Sequence, residues 1–191
     1  MKKTILFIAM AFLCLNIPGI ALGRSGNHFQ STDITPLNLS EKIPSEIFNN
    51  LIPSEIDTIN LRDYKGKSII LDFWATWCTA CIHAFPKVER LNQKYAKNLQ
   101  IILVNTSDRD SRQKVEAFIS AKKKDGSMPN CPVLLHDKVL IRLFPHKVIP
   151  HYVWIGQNGK VKAFTDSEDL TDINVERLMA GLELDLKKKE L

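Results

Sequence analysis

The sequence predicts an α/β fold in which helices flank a central mixed sheet, and three observations support it. An apolar run at 68–74 is followed by apolar residues at helical spacing, and a second apolar run covers 99–105. Two buried strands separated by a helix form a parallel βαβ unit. Further on, Asn158-Gly159 separates two apolar runs, which is the strongest two-residue signal for an antiparallel hairpin.

The N-terminus predicts an export signal at residues 1–23. Lys2 and Lys3 form a basic region, an apolar stretch follows at 5–15, and the small residues Ala21 and Gly23 occupy the two positions that a signal peptidase reads. We therefore expect cleavage after Gly23 and a periplasmic domain.

Two other interpretations of this segment remain open. One is an uncleaved membrane anchor, although Asn16, Pro18 and Gly19 interrupt the apolar run before the roughly 20 residues that a spanning helix needs. The other is a lipoprotein signal at Cys14, although the preceding Leu13 is bulkier than such a signal requires.

The segment after the signal is rich in Gly, Ser, Asn, Thr and Pro, and we expect residues 24–42 to be an exposed leader. The folded domain is then expected to span 43–191. Ile-Pro-Ser-Glu occurs at 43–46 and again at 52–55, which is too short for a structural repeat. We interpret the stretch up to Leu61 as an N-terminal strand or hairpin extension.

The remaining elements are predicted in order along the chain. Thr171 is expected to cap a last helix on which Val175, Leu178, Met179 and Leu182 form one apolar stripe. The elements before it are a turn at 61–67, a strand at 68–74, a helix after Cys78, a strand at 99–105, a helix at 112–123, a strand at 132–136, a helix at 139–144, and hairpin strands at 151–155 and 161–164.

Composition and charge fit an ordinary globular protein and give no sign of nucleic-acid binding. The chain is 45% hydrophobic and 25% charged. Without residues 1–23 it carries 24 basic and 21 acidic residues, a net charge of +3. The lysine clusters at 122–124 and 187–189 are short and lack interleaved aromatic residues, so we expect solvated helix ends.

Cys78 and Cys81 are the residues most informative about chemistry. They lie one helical turn apart after an apolar strand that carries a single acid, Asp72. Cysteines at this spacing at a helix N-terminus can form a disulfide reversibly, and the helix favours the thiolate of the first. Half of a zinc site is the alternative, but no second Cys-x-x-Cys or His-x-His cluster follows.

Two prolines narrow the interpretation. Pro86 lies five residues past Cys81, inside the same predicted helix, and Val148-Ile149-Pro150 precedes a strand. Together with the motif Trp-Ala-Thr-Trp-Cys-x-x-Cys, they make the chain resemble thioredoxin-fold thiol–disulfide oxidoreductases of the TlpA/ResA-like extracytoplasmic family. The resemblance covers roughly residues 43–182, and a helix and strand inserted at about 110–143 are typical of that family.

The helix position assigns roles to the two thiols. Cys78, at the N-terminus and nearest solvent, is the expected nucleophile, and Cys81 is the resolving thiol. A permanently closed structural disulfide is the alternative. The sequence between them, Thr79-Ala80, departs from the family, which usually has proline second. These residues influence the reduction potential, so a disulfide-forming oxidant remains open beside a reductase.

A buried carboxylate such as Asp72 tends to have a raised pKa, and the resemblance matches it to the thioredoxin aspartate that accepts a proton from the resolving thiol. The alternative is a core acid satisfied by Lys65 or Lys67. The resemblance also implies that Pro150 is a cis-proline that leaves the backbone of Ile149 able to pair with an extended substrate. An ordinary trans-proline is the alternative.

Other side chains are expected near the substrate. Trp77 is expected to line the contact surface with Trp74 packed beside it, the alternative being that both belong to the core. His151 is expected near Cys78, where it would contact substrate and tune the thiol pKa, the alternative being a partly exposed surface histidine. His146 lies on the other side of Pro150.

Two residues are assigned no active role. His83 is expected to face solvent. Cys131 is the odd cysteine of the exported chain and is expected to be a small buried hydrophobic residue, with a disulfide to a partner or a resolving role as alternatives.

The sequence thus predicts an extracytoplasmic disulfide reductase or interchange protein that needs no cofactor or metal. Its expected partners are protein thiols and disulfides and a membrane or periplasmic thiol electron donor, and we expect a monomer. A Sco-like copper metallochaperone that uses Cys78, Cys81 and His151 is the alternative from another class. A peroxidase is disfavoured because the Pro-x-x-x-Thr-x-x-Cys arrangement is absent from the sequence.

Overall fold

The computed structural model describes residues 34–44, 51–53 and 58–184, so the predicted signal at 1–23 lies outside the described residues. The elements are β1 (Leu51–Pro53), β2 (Thr58–Asn60), a 3₁₀ helix (Leu61–Tyr64), β3 (Ser68–Trp74), α1 (Thr79–Lys94), β4 (Leu99–Asn105), α2 (Arg112–Lys124), β5 (Val133–Leu135), α3 (Lys138–Leu143), β6 (His151–Ile155), β7 (Val161–Thr165) and α4 (Asp172–Met179).

The sheet has the mixed topology that the sequence predicts. Its strand order is β5-β4-β3-β6-β7, with β3, β4 and β5 parallel and with β6 and β7 antiparallel to their neighbours. β1 and β2 form a separate antiparallel pair, which confirms the N-terminal hairpin. The inserted segment appears as α2, β5 and α3.

The central strand β3 is buried along all seven residues and contributes side chains to two hydrophobic layers, one on each face of the sheet. Since successive side chains of a strand point to opposite faces, Ile70 and Trp74 pack against α1, whereas Leu71 and Phe73 pack against α3. This burial of both faces explains why the sequence of the strand is an almost unbroken apolar run. It also places the end of β3 and the start of α1 at one edge of the sheet.

The last helix is shorter than predicted, and Leu182 does not belong to its apolar stripe. Val175 and Leu178 are buried, but Leu182 is exposed. Gly181 adopts φ +70° and ends the helix. The N–H groups of Gly181 and Leu182 donate to the carbonyls of Leu178 and Arg177, which is a Schellman motif that turns the chain away.

The prediction that residues 24–42 form an exposed leader is wrong for their C-terminal part. Leu37 is buried, and its N–H donates to the Leu143 carbonyl at 2.8 Å. Further along, the Ser40 N–H donates to the Val161 carbonyl at 2.8 Å, so this segment pairs with the start of edge strand β7. Leu37 and Leu39 stand in a polar stretch without helical or strand periodicity, so the sequence gives no signal that the segment packs against an edge strand.

Replacing Leu37 by alanine should therefore lower the free energy of unfolding by about 2–3 kcal/mol, the cost of a cavity at a buried leucine. Leu39→Ala is the matched control, since Leu39 is exposed in the same segment. Urea unfolding of both variants provides the measurement. Equal and small effects of the two substitutions would show that the segment does not belong to the folded domain.

Candidate functional site

Cys78 and Cys81 are joined by a disulfide at the start of α1, with their Cα atoms 5.3 Å apart. Cys78 is the N-cap of the helix, and its sulfur accepts the N–H of Cys81 at 3.2 Å. Cys78 is 4% exposed, whereas Cys81 is fully buried one turn inside. The unpaired N–H groups of a first helical turn and the helix dipole favour a thiolate at this position. The geometry therefore distinguishes an outer thiol suited to attack from an inner one.

Asp72 is fully buried on β3, and neither of its carboxylate oxygens has a hydrogen-bond partner. By strand alternation it points to the same face as Ile70 and Trp74, the layer that also contains Cys81. Burial raises the pKa of Asp72 to about 8. The Tyr152 hydroxyl, on the paired residue of β6, offsets part of this rise without closing a well-formed hydrogen bond.

The alternative in which a lysine satisfies Asp72 is wrong. The Lys67 ammonium group donates instead to the carbonyl of Ala96 at 2.6 Å, and Lys65 is exposed. Both lysines lie before the start of β3, whereas Asp72 is its fifth residue and lies deep in the layer. Tyr152 is therefore the polar neighbour of the carboxyl group. Tyr152 was missed in the sequence analysis because an aromatic residue in an apolar strand is typical of the hydrophobic core.

The Ile149–Pro150 peptide bond is cis, as the resemblance implies. The residue before them, Val148, is 61% exposed, and Ile149 and Pro150 are partly buried. The cis-proline loop therefore carries an apolar side chain to the surface and leaves Ile149 at its base.

His151 does not lie where the sequence prediction placed it. Its side chain is fully buried, with ring centroids 4.7 Å from His146, 5.6 Å from Phe73 and 5.8 Å from Phe164. These phenylalanines belong to the α3 layer, while the disulfide belongs to the α1 layer. The predicted substrate contact through the His151 side chain is thus wrong, and so is the alternative of a partly exposed histidine.

A cleft of about 440 Å³ joins the tryptophans to the cis-proline loop. Its lining residues are Trp74, Trp77, Thr106, Ser107, Asp108, Ile141, His146, Lys147, Val148 and Ile149. Trp77 is 48% exposed, and its indole N–H donates to the Ser107 hydroxyl at 3.0 Å. The Arg109 guanidinium lies 5.4 Å from the centre of the Trp77 ring. Trp74 is buried behind it, so Trp77 is the one of the two that offers a surface in the cleft.

The remaining residues singled out in the sequence have structural positions. His83 is exposed on α1, as predicted. Cys131 is a free, half-buried thiol against the α1 layer. Burial raises the pKa of the Cys131 thiol, and the charges of Glu89 and Asp72 raise it further, so the thiol stays protonated; its partial exposure differs from the predicted burial.

Within residues 34–44, 51–53 and 58–184, no three His, Cys, Asp or Glu side chains come together in a way that would hold a metal ion. No helix there is long and apolar enough to cross a membrane.

Comparison with known proteins identifies the family. Residues 38–179 match the Redoxin family model. The chain is 27% identical over 191 residues to the thiol-disulfide oxidoreductase ResA of Bacillus thuringiensis subsp. konkukian, covering 98% of both proteins. It is 45% identical over 60 residues to the thioredoxin-like protein YneN of Bacillus subtilis, a match to 31% of this chain and 35% of YneN.

A solved structure gives the same result. The putative thiol:disulfide interchange protein DsbE from Chlorobium tepidum superposes with a TM-score of 0.54 at 27% identity, covering 67% of this chain and 84% of DsbE. Since the family model spans well over half of the chain, the protein belongs to the Redoxin family, and its predicted resemblance to TlpA/ResA-like thioredoxin-fold oxidoreductases is confirmed.

Proposed function

We propose that this protein is an extracytoplasmic thiol–disulfide oxidoreductase that reduces or exchanges the disulfides of client proteins. The observation that carries the proposal is the Cys78–Cys81 disulfide at the N-terminus of α1, with the outer sulfur as the N-cap. Family membership and the ResA and DsbE relatives support the same class of reaction.

The proposed reaction proceeds in two exchanges. The Cys78 thiolate attacks one sulfur of a client disulfide, which forms a mixed disulfide and releases a client thiolate. Cys81 then attacks the Cys78 sulfur, closes the Cys78–Cys81 disulfide and releases the second client thiolate. Two electrons pass to the client, and each released thiolate takes up a proton. A thiol electron donor outside the protein returns the pair to the dithiol.

In this reaction Asp72 accepts the proton of Cys81. A general base works best when its pKa lies near the operating pH, and burial raises the pKa of Asp72 to about 8. Asp72 and Cys81 belong to the same buried layer. Taking up a proton also removes an uncompensated charge from the interior, so transfer to Asp72 becomes favourable as the Cys81 thiolate forms.

The client lies as an extended segment across the cis-proline loop. The cleft lined by Trp77, the residue before Cys78, combines two exposed apolar side chains, Trp77 and Val148, with the base of the loop at Ile149. Such a surface suits a flexible client segment, because main-chain pairing is independent of sequence and apolar side chains add contact area. This arrangement supports a range of protein clients over one small molecule.

The proposed compartment and partners rest on the sequence. The basic and apolar regions within residues 1–23 support export to the periplasm, where a thiol donor must keep Cys78 and Cys81 reduced. We further propose that the protein acts as a monomer without a cofactor. The metallochaperone alternative gains no support, because the His151 ring packs on Phe73 and Phe164 away from the disulfide layer.

The reaction is tested by insulin reduction with dithiothreitol as electron donor. Cys78→Ala and Cys81→Ala should each lower turnover at least about hundredfold, because each removes one of the two exchanges. Cys81→Ala should in addition accumulate a mixed disulfide with insulin, which Cys78→Ala should not. Cys131→Ala is the matched control and should retain full turnover. A Cys78→Ala protein that still reduces insulin would overturn the proposal.

The direction of electron flow is tested by equilibration with glutathione. If the protein is a reductase, we expect the Cys78–Cys81 pair to have a reduction potential near that of thioredoxin, about −270 mV, and not near that of DsbA, about −120 mV. A value near the latter would assign the protein to disulfide formation in clients.

Asp72→Asn should alter stability in a pH-dependent way. The pKa of Asp72 is about 8 in the folded protein and near 3.9 in the unfolded chain. Between these two values the folded protein holds a proton that the unfolded chain has lost, so the free energy of unfolding of wild type falls as pH rises. The variant does not titrate. Its stability relative to wild type should therefore rise between pH 4 and pH 8, by up to about 5 kcal/mol.

The same variant should slow insulin reduction at pH 7 by about tenfold or more, since it removes the base. Denaturant unfolding at several pH values and turnover at pH 7 are the two measurements. A pH-independent stability difference would contradict the raised pKa, and unchanged turnover would contradict the role in proton transfer.

A further inference from the structure

Asp110 is a second buried carboxylate, and the reaction proposed above does not use it. It lies in the loop between β4 and α2 and is fully buried. Thr76 contributes two of its contacts. The Thr76 N–H donates to Oδ2 at 2.8 Å, and the Thr76 hydroxyl donates to Oδ1 at 2.6 Å.

Two further donors complete the hydrogen bonding of the Asp110 carboxylate. The Asn105 amide donates to Oδ2 at 2.9 Å, and the Lys114 ammonium group donates to Oδ1 at 2.8 Å. The main chain is held as well, since Nε2 of His136 lies 2.6 Å from the Asp110 carbonyl oxygen. Burial alone would raise the pKa of Asp110, but the hydrogen bonds from Lys114, Thr76 and Asn105 outweigh it and lower the pKa to about 2. The group is therefore an anion at neutral pH.

Thr76 connects this anion to the disulfide. It lies two residues before Cys78, in the segment 75–77 that links β3 to α1. Within that segment the Cys78 N–H donates to the Ala75 carbonyl at 3.1 Å. The next residue, Trp77, donates to Ser107 in the β4–α2 loop. The linking segment is thus tied to that loop at two consecutive residues immediately before the outer thiol.

We propose that Asp110 is a positioning residue that fixes the segment 75–77, so that a thiol or disulfide entering the cleft meets the Cys78 sulfur in line with the bond that breaks. The inference rests on the proposed function and deepens it. It assigns to the β4–α2 loop the task of presenting Cys78, in addition to lining the cleft.

An electrostatic role and a positioning role of Asp110 predict opposite changes in the rate of attack on the Cys78 sulfur when Asp110 is replaced. A nearby anion repels an incoming thiolate, so removal of the charge alone would speed attack on the Cys78 sulfur. Loss of positioning slows the same attack, because exchange requires the reacting sulfur atoms to be aligned. A faster reaction of the variant would therefore indicate an electrostatic role of Asp110, and a slower reaction would indicate a positioning role.

The experiment measures reduction of the Cys78–Cys81 disulfide by dithiothreitol in wild type and Asp110→Asn. A thiolate of dithiothreitol bonds to Cys78, the bond to Cys81 breaks, and Cys81 leaves as a thiolate that takes up a proton. The second thiol then closes the dithiothreitol ring and frees Cys78. One amide oxygen cannot accept four donors, so the variant should react at least about tenfold more slowly over the whole pH range of thiolate attack.

Matched variants separate positioning from stability. The Ser111 hydroxyl caps α2 by accepting the Lys114 N–H at 3.3 Å and does not touch the carboxylate of Asp110. Ser111→Ala should destabilise the protein yet leave the rate with dithiothreitol unchanged. Thr76→Val, which removes one donor, should slow the reaction several-fold, and Thr76→Ser, which keeps the hydroxyl, should restore most of the rate.

The outcomes also separate this inference from the proposed function. A folded Asp110→Asn protein that reacts as fast as wild type or faster overturns the positioning role. If Asp110→Asn does not fold, equal rates for Thr76→Val and Thr76→Ser overturn it instead. A wild-type protein that fails to reduce insulin, while Asp110→Asn still slows the reaction with dithiothreitol, overturns the function and supports the positioning role.

Discussion

The burial of Asp72 in the central strand is the constraint on which the proposed chemistry of this protein depends. β3 is covered on both faces and paired on both sides, so a carboxyl group in its interior is shielded from solvent, and the Tyr152 hydroxyl lies beside it. An ionised carboxylate there is costly, and the group responds by keeping its proton up to a pH of about 8. The fold thus gives up stability to hold, in the same layer as the inner thiol, a carboxyl group that can exchange its proton near neutral pH.

The same strand determines the asymmetry of the two cysteines. Because β3 ends at Trp74 and α1 begins at Thr79, the linking segment brings Cys78 to the helix N-cap, where backbone donors and the dipole meet its sulfur. Cys81 follows one turn later, inside the layer. Cys78 is therefore electrostatically favoured as an anion near the surface, and in the proposed reaction Cys81 gives its proton to a buried base. The two proposed exchange steps use these different environments.

The sequence predicted most of what depends on local pattern. The bounds of β3 and β4 match the apolar runs, and the cis bond at Pro150 followed from the family resemblance. It failed where tertiary packing decides the outcome. His151 was placed near Cys78 because it follows Pro150, but the strand alternation that begins there turns its ring to the other layer. Leu37 was assigned to an exposed leader because its partner, the Leu143 carbonyl at the end of α3, lies more than a hundred residues away.

Asp110 was missed for a related reason, and its comparison with Asp72 explains why no sequence rule separates the two. Both are aspartates with fully buried side chains. Four donors surround Asp110 and lower its pKa to about 2, whereas Asp72 lacks such donors and its pKa rises to about 8. Donors to Asp110 come from Thr76, Asn105 and Lys114, which the topology brings together. The same residue type thus serves as a permanent anion that holds structure in one place and as an exchangeable proton site in the other.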